Sequence, residues 1–449
     1  MQELIVKTEK MVHGGQALAR SDRFVVFVDD ALPGETLRVE IYKRKKSFAF
    51  ARSVEVLEPA PDRIPSDCPL SGRCGGCSFR HCSYASQLRY KRQILVDSLH
   101  SVPAAQALVA DVVPSPLTED YRNKMVFSFG QAPDGSTIVG LHRRGSFITI
   151  LPANDCHLQS EASREILRRV TALCARLSIP AFHEIRKTPG LRLLTIREGR
   201  NTAQRMVELV ATGDFPALAA LPDALLSEIG DLADVVLLSR DSNPQGVAVP
   251  TARRLLKGNG VIEETLNGIR FRIGPDTFFQ SNTAQAERLF ARLREAVAPL
   301  RPDTALDLFA GTGPIALHLA SVARSVYALE SWAPSVDAAR ENALLNHLPN
   351  GAAEVADINS APPANVPDHF DLVVVDPPRP GLTAKAIDWL LRRTPSAIAY
   401  VSCNPSTLAR DLAALLEKAP DFAPVLVEPF DLFPHTAHLE TLVLLRRNP

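Results

Sequence analysis

The run Thr304-Ala-Leu-Asp-Leu-Phe-Ala-Gly-Thr-Gly-Pro-Ile-Ala-Leu-His-Leu319 decides the fold of the C-terminal part of the chain. Residues 304–309 read as an apolar strand and Ala310-Gly-Thr-Gly313 as a glycine turn, with a helix expected from about Pro314. Working outward, 325–329 is the next strand and ends at Glu330. A continuous apolar run over 371–375 ends in Asp376-Pro-Pro-Arg379, another over 397–401 ends at Ser402-Cys-Asn-Pro405, and 441–445 is the last strand. Strands buried on both faces and alternating with helices predict a parallel, doubly wound α/β sheet. Such sheets bind ligands at the carboxyl ends of their strands, where these polar motifs fall.

At 449 residues the chain is too long for one ordinary domain, and two or three are expected at roughly 100–200 residues each. A hydrophobic content of 46% with 22% charged residues excludes a largely disordered chain. No apolar run approaches the ~20 residues of a membrane-spanning helix, and the N-terminal MQELIVKTEK lacks a basic-then-apolar export pattern. A cytoplasmic protein with no membrane partner is expected. Residues 1–58 alternate short β-rich runs with turns at Gly14-Gly15 and Pro33-Gly34, the pattern of a small OB-like barrel. The Pro-rich stretch 59–65 leads into a second unit, 59–265, with a helix over 84–100, a strand-rich stretch over 121–150 and an amphipathic helix over 160–177. Cys174 on that last helix reads as a small buried hydrophobe. The third unit is 266–449, on which the helix near 84–112 is expected to pack.

Lys+Arg and Asp+Glu both number 50, so the formal net charge is zero and a global basic balance is absent. The distribution is uneven. Residues 68–96 hold no acid but carry Arg73, Arg80, Arg89, Lys91 and Arg92, and Lys43-Arg-Lys-Lys46 lies upstream. Phosphate contact and a merely solvated surface both fit these runs.

Chemistry concentrates at the strand ends. Glu330 stands where an acid binds ribose hydroxyls, and the short glycine turn fits the nucleoside part of S-adenosylmethionine at least as well as a dinucleotide. Cys403 follows a strand directly and precedes a helix starting near Ser406, read as its N-cap; the helix N-terminus is expected to favour the thiolate and make Cys403 a nucleophile. Asp376 and Arg379 are placed in the same cleft. Glu440, at a strand start, is a candidate general base. His435 and His438 lack the neighbours that would complete a metal site. Seven cysteines without an export signal do not suggest a disulfide framework. Cys68, Cys74 and Cys77, with Cys82 or Cys156 as a fourth, have the spacing of a zinc or iron–sulfur site.

On these residues the chain resembles the RNA uracil-C5 methyltransferase family, in its branch with an N-terminal TRAM barrel and an iron–sulfur cluster. The motifs that carry the resemblance are Tyr121-Arg-Asn-Lys124, Phe278-Phe-Gln280, the 307–313 turn, Asp376-Pro-Pro-Arg379, Ser402-Cys-Asn-Pro405 and Phe433-Pro-His-Thr-Ala-His-Leu-Glu440. It spans nearly the whole chain. It implies a TRAM-like RNA-binding barrel over 1–58, a central α/β domain over 59–265 and a Rossmann-like S-adenosylmethionine-dependent methyltransferase domain over 266–449. It also implies a [4Fe-4S] cluster on Cys68, Cys74, Cys77 and Cys156. Gln280, Phe309, Gly311, Gly313, Glu330, Asp357 and Asp376 are implied at the donor site, with Cys403 as nucleophile, Glu440 as base and Asp376 as a further catalytic group. The chain departs from the family pattern at Ala310, Pro314, Arg80 and Phe147.

The implied reaction suits these residues. C5 of uracil is too weak a nucleophile to attack a methylsulfonium, and a thiolate adding at C6 gives C5 carbanion character. Methyl transfer, removal of the C5 proton by a base and elimination of the cysteine complete the cycle. The target base must leave its stack, which single-stranded or looped RNA permits most cheaply. The substrate implied first is 23S ribosomal RNA, with transfer RNA as the alternative. A non-catalytic RNA-binding or assembly factor is the reading from another class, against which Cys403, Glu440 and Gln280 speak. A radical S-adenosylmethionine enzyme would use Cys-x3-Cys-x2-Cys, which is not the spacing here. A monomer is expected.

Overall fold

The computed structural model describes residues 2–21, 24–242, 250–358 and 366–448. In the C-terminal part, seven strands form one sheet in the order Gly351–Val355, Ser325–Glu330, Thr304–Leu308, Leu372–Val375, Ala397–Ser402, Glu440–Arg447, Phe422–Phe430. The first five are parallel, and Glu440–Arg447 runs antiparallel between Ala397–Ser402 and Phe422–Phe430. From Thr304–Leu308 the chain winds outward to Gly351–Val355, then returns to Leu372–Val375 on the other side. The switch point therefore opens between the ends of Thr304–Leu308 and Leu372–Val375, where a ligand crevice forms.

Both faces of this sheet are covered, as its unbroken apolar strands require. Leu306, Leu308, Val373 and Val375 pack under Leu408 and Leu412 of helix Pro405–Lys418. Ala305, Leu372 and Val374 pack under Leu289, Phe290 and Leu293 of helix Thr283–Val297. From the 84–112 segment, Leu95, Leu99, Val102, Ala105, Val109 and Val112 enter the first of these cores. Ala110 and Val113 N–H groups donate to Val427 and Pro429 carbonyls at 3.0 and 2.8 Å, which covers the sheet's outer edge.

The N-terminal strands Gln2–Met11, Ala17–Arg20, Val25–Asp29, Thr36–Arg44 and Phe48–Glu58 close into a barrel. Its interior is filled by alternate small and branched residues, among them Ala17, Ala19, Val26, Val28, Val39, Ala49 and Ala51. A second seven-stranded sheet, from Lys124–Gln131 to Ala252–Lys257, carries helices Glu161–Arg176 and Leu221–Ile229 on one face. Cys174 is buried in that core. The hairpin Ile262–Leu266/Ile269–Ile273 crosses the 265/266 boundary expected from the sequence. Ile262, Leu266 and Phe271 join the catalytic core against helix Thr283–Val297, so packing assigns the whole hairpin there. Among the described residues no helix is long and apolar enough to cross a membrane.

Candidate active site

Register brings the site together. Ser402 pairs with Thr441 in the antiparallel ladder, so Cys403, one residue past the first strand, emerges beside Glu440, one residue before Thr441. Leu308 pairs with Val375 and with Leu329, which sets Phe309, Asp376 and Glu330 at neighbouring strand ends. These residues line a cleft of about 750 Å³, together with Gln280, Gly311, Asp357 and Arg379.

The glycine turn is fixed from below and beside. Asp307, fully buried, accepts from Ala316 N–H at 2.9 Å and so anchors the start of helix Pro314–Leu319. Burial, and then the charge of Asp376, raises the Asp307 carboxyl well above the usual range. Glu330 accepts from Gly311 N–H at 3.2 Å and from Trp332 N–H at 2.8 Å, tying the turn to the next strand end. Gly311 has φ +55° with nothing within 4 Å of a would-be β-carbon, so its backbone is open to a ligand. Gly313 differs from expectation. It does not line the cleft; its φ is +85° and a β-carbon there would lie 3.2 Å from Ala339 Cβ, so it serves close helix packing.

Asn404, not Ser406, caps helix Pro405–Lys418: its Oδ1 accepts from Ser406 N–H at 3.0 Å. The Asn404 amide also donates to Arg379 O at 3.1 Å, joining the two catalytic loops. The expected low thiol pKa at Cys403 is corrected. Burial pushes this thiol up to about 12, the charges of Glu440 and Asp376 add to the rise, and Arg379 opposes it. Partial loss of water around the thiol comes first, and its near neighbours are acids, so both act against the thiolate. Burial pushes Asp376 up to about 7. Glu440, only 3% exposed, is raised well above the carboxylate range by burial first and Asp376 second, and its Oε2 has no hydrogen-bond partner. A buried carboxyl aimed into a cleft without a partner is available for proton transfer.

Of the cleft's lining, Trp332 is a residue that the sequence does not single out. Phe278 and Trp332 line the cleft while largely exposed. His438 stands 3.3 Å from Arg379 and edge-on to Phe433. Asn123 donates to Gln280 O at 2.7 Å and Thr283 Oγ1 at 2.9 Å, which explains Tyr121-Arg-Asn-Lys124 as the tie between the central sheet and the Phe278-Phe-Gln280 turn.

Away from the cleft, Cys68, Cys74, Cys77 and Cys156 line one cavity of about 90 Å³, well above the ~15 Å³ that accommodates a single water. All are free thiols. Burial and then the neighbouring Cys156 push Cys77 up to about 12. Cys82 lies apart, packed with Met11, Leu32, Phe79 and Tyr90.

In the basic segment 73–92, one of the two runs that phosphate contact would fit, Arg80 and Lys91 are buried, Arg92 is half-buried, and Arg73 and Arg89 are exposed. Arg80 is buried between Asp67 and Glu119, Lys91 pairs with Asp431, Arg89 with Asp62, and Arg92 donates to Val109 and Ala110 carbonyls. Acids distant in sequence thus take up Arg80 and Lys91, while Arg73 and Arg89 remain at the surface. Lys43-Arg-Lys-Lys46 is exposed on the barrel, with Lys43 5.8 Å from the Phe50 ring centre and Tyr42 stacked on the same ring.

Three family models match the chain: tRNA (uracil-5-)-methyltransferase over residues 367–448, the TRM5/TYW2 methyltransferase domain over 262–407, and the TRAM domain over 1–54. An uncharacterized RNA methyltransferase of Gloeobacter violaceus is 34% identical, with 100% of this chain and 97% of that protein covered. One from Thermotoga maritima is 35% identical over 98% of each. The Pyrococcus abyssi tRNA (uracil-54, C5)-methyltransferase, solved with S-adenosyl-L-homocysteine, is similar in structure with a TM-score of 0.78 and 26% identity, covering 98% of this chain and 100% of that one. With the TRAM barrel, the methyltransferase sheet and whole-length relatives of this kind, the chain belongs to a family of RNA methyltransferases, its C-terminal part matching the tRNA (uracil-5-)-methyltransferase model.

Proposed function

We propose that the protein methylates C5 of a uridine in RNA through a covalent bond between Cys403 and C6. The observation that carries this is the register that sets Cys403 beside Glu440, with Asp376 and Arg379 in the same cleft. Bound S-adenosylmethionine supplies the electrophilic methyl group, and the turn at Gly311 with Glu330 fits its nucleoside part. Asp376, ionised above about 7, takes the Cys403 proton as sulfur adds to C6, and then hydrogen-bonds O4 of the enolate. Arg379 offsets the negative charge. After C5 has been methylated, the carboxylate form of Glu440, favoured once Asp376 has been neutralised by the Cys403 proton, removes the C5 proton, the C5–C6 double bond re-forms, and the C6–S bond breaks as sulfur takes its proton back from Asp376.

Cys68, Cys74, Cys77 and Cys156 are the residues that would hold a [4Fe-4S] cluster; four thiols around one small cavity fit such a group, which would act there as a structural cross-link. RNA is gripped by the exposed cations and rings of the barrel, where aromatic faces stack bases and lysines meet phosphate. Ribosomal RNA is the target that the cysteine set and barrel favour. Transfer RNA is the second reading, supported because the Pyrococcus abyssi enzyme named for tRNA uracil-54 is similar over the whole chain, barrel included. The test is direct: purified protein with S-adenosylmethionine and total RNA from a strain lacking it should form 5-methyluridine. Mapping that nucleotide assigns the RNA, and no 5-methyluridine in any fraction would overturn the activity.

A further inference from the structure

The loop that leads into Glu440 is held from outside the catalytic sheet. Ser78 and Phe79 N–H groups both donate to His435 O at 2.9 Å. Ala437 N–H donates to Ser78 Oγ at 3.0 Å. Gln87 accepts from His435 N–H at 2.9 Å and places its amide nitrogen 3.2 Å from His435 Nδ1, while donating to Phe79 and Cys82 carbonyls. Lys91 donates to Asp431 Oδ1 at 2.6 Å and Phe433 O at 3.0 Å. The barrel closes the third side: a β-carbon on Gly15, whose φ is +83°, would sit 2.9 Å from Ala437 Cβ and 3.0 Å from Ser78 Oγ.

Two facts make this more than packing. Ser78 is the residue after Cys77, so the grip on the loop begins one peptide bond from the cysteine cavity. His435, the residue gripped most, has φ +64°, a left-handed conformation that a non-glycine residue keeps only where its surroundings over-determine it. Three residues further on, His438 already lines the catalytic cleft, and Glu440 follows.

We propose that Ser78, Gln87 and Lys91 are positioning residues that couple the four-cysteine site to the catalytic base, so that release of Cys77 relaxes His435 and misplaces Glu440. The proposal rests on the reading of Glu440 as base. It makes the cysteine site a brace for the step that frees the product, without a part in the chemistry itself.

The experiment is hydrogen exchange by mass spectrometry on the full chain, purified anaerobically, as wild type, Ser78→Ala, Ser78→Thr and Cys77→Ser. Ser78→Ala removes one hydrogen bond and should speed exchange at Ala437 roughly five-fold, while residues 441–445 keep wild-type protection. Ser78→Thr, which retains the hydroxyl, should restore it. Cys77→Ser, whatever the site binds, should speed exchange across 433–438. Kinetically, Ser78→Ala should accumulate covalently bound methylated RNA with an unchanged KM, which a simple loss of folded enzyme does not produce. Wild-type loop protection in both Ser78→Ala and Cys77→Ser overturns the coupling. Faster exchange without adduct build-up overturns its link to Glu440. The exchange results stand whether or not Cys403 proves to be the nucleophile, so the two readings fail separately.

Discussion

Lys91→Met is the perturbation whose size the structure fixes best. Lys91 Nζ lies 2.6 Å from Asp431 Oδ1 with both side chains 0% exposed, and Asp431 Oδ2 has no partner of its own. Methionine fills the lysine's volume but leaves a buried carboxylate whose remaining donors are Phe433 N–H at 3.1 Å and the Tyr84 hydroxyl. Breaking a buried pair in this way costs about 3–5 kcal/mol, roughly 10²–10⁴-fold in the folding equilibrium at about 1.4 kcal/mol per tenfold. Removing both charges, in Lys91→Met/Asp431→Leu, should recover most of that cost, because a desolvated pair is nearly neutral against apolar residues of similar volume. Urea unfolding followed by tryptophan fluorescence reads this out. Of the two tryptophans, Trp389 is buried in the core on which the 84–112 segment docks, whereas Trp332 is exposed at the cleft. A single variant within about 1 kcal/mol of wild type, where a broken buried pair costs several, refutes the claim that this pair fastens the loop. So does a double variant no better than the single.

Other expectations are narrower. Anaerobically purified protein should contain iron and labile sulfide, retained in Cys82→Ser and absent in Cys156→Ser; zinc alone by metal analysis would reject the cluster. Neutralising Lys43–Lys46 should weaken RNA binding and lower the salt slope by about 0.7 for each single-strand phosphate that these cations had neutralised, whereas Arg92→Gln should leave that slope unchanged. Adduct formation at Cys403 should rise with pH through about 7, because Asp376 below that value is protonated and takes no proton from the thiol; Asp376→Asn should remove that limb, and a profile shared by both proteins would exclude Asp376.

What the sequence makes legible follows from what depends on local order. The strand ends at Glu330, Asp376 and Cys403 are readable because an apolar run that stops at a polar motif marks both a buried strand and its carboxyl end. The register of an antiparallel last strand is not written in its own residues, so the pairing of Ser402 with Thr441 that brings Glu440 to Cys403 is visible only in the fold. The same limit explains the corrections. Arg80 and Lys91 look like free cations until Glu119 and Asp431, 39 and 340 residues away, fold against them. Cys403 looks like an activated thiol until the fold buries it and sets two acids beside it. Gly313 looks like a ligand-binding residue until Ala339 packs on it.

The most direct measurement is mass spectrometry of the protein incubated with S-adenosylmethionine and RNA carrying 5-fluorouridine at the mapped position. Fluorine at C5 blocks the proton removal that releases the cysteine, so the RNA should remain joined to a peptide at Cys403. Cys403→Ala should give neither adduct nor product, and Glu440→Gln should trap methylated RNA on ordinary uridine. An adduct on another residue, or methylation that persists in Cys403→Ala, would contradict the mechanism.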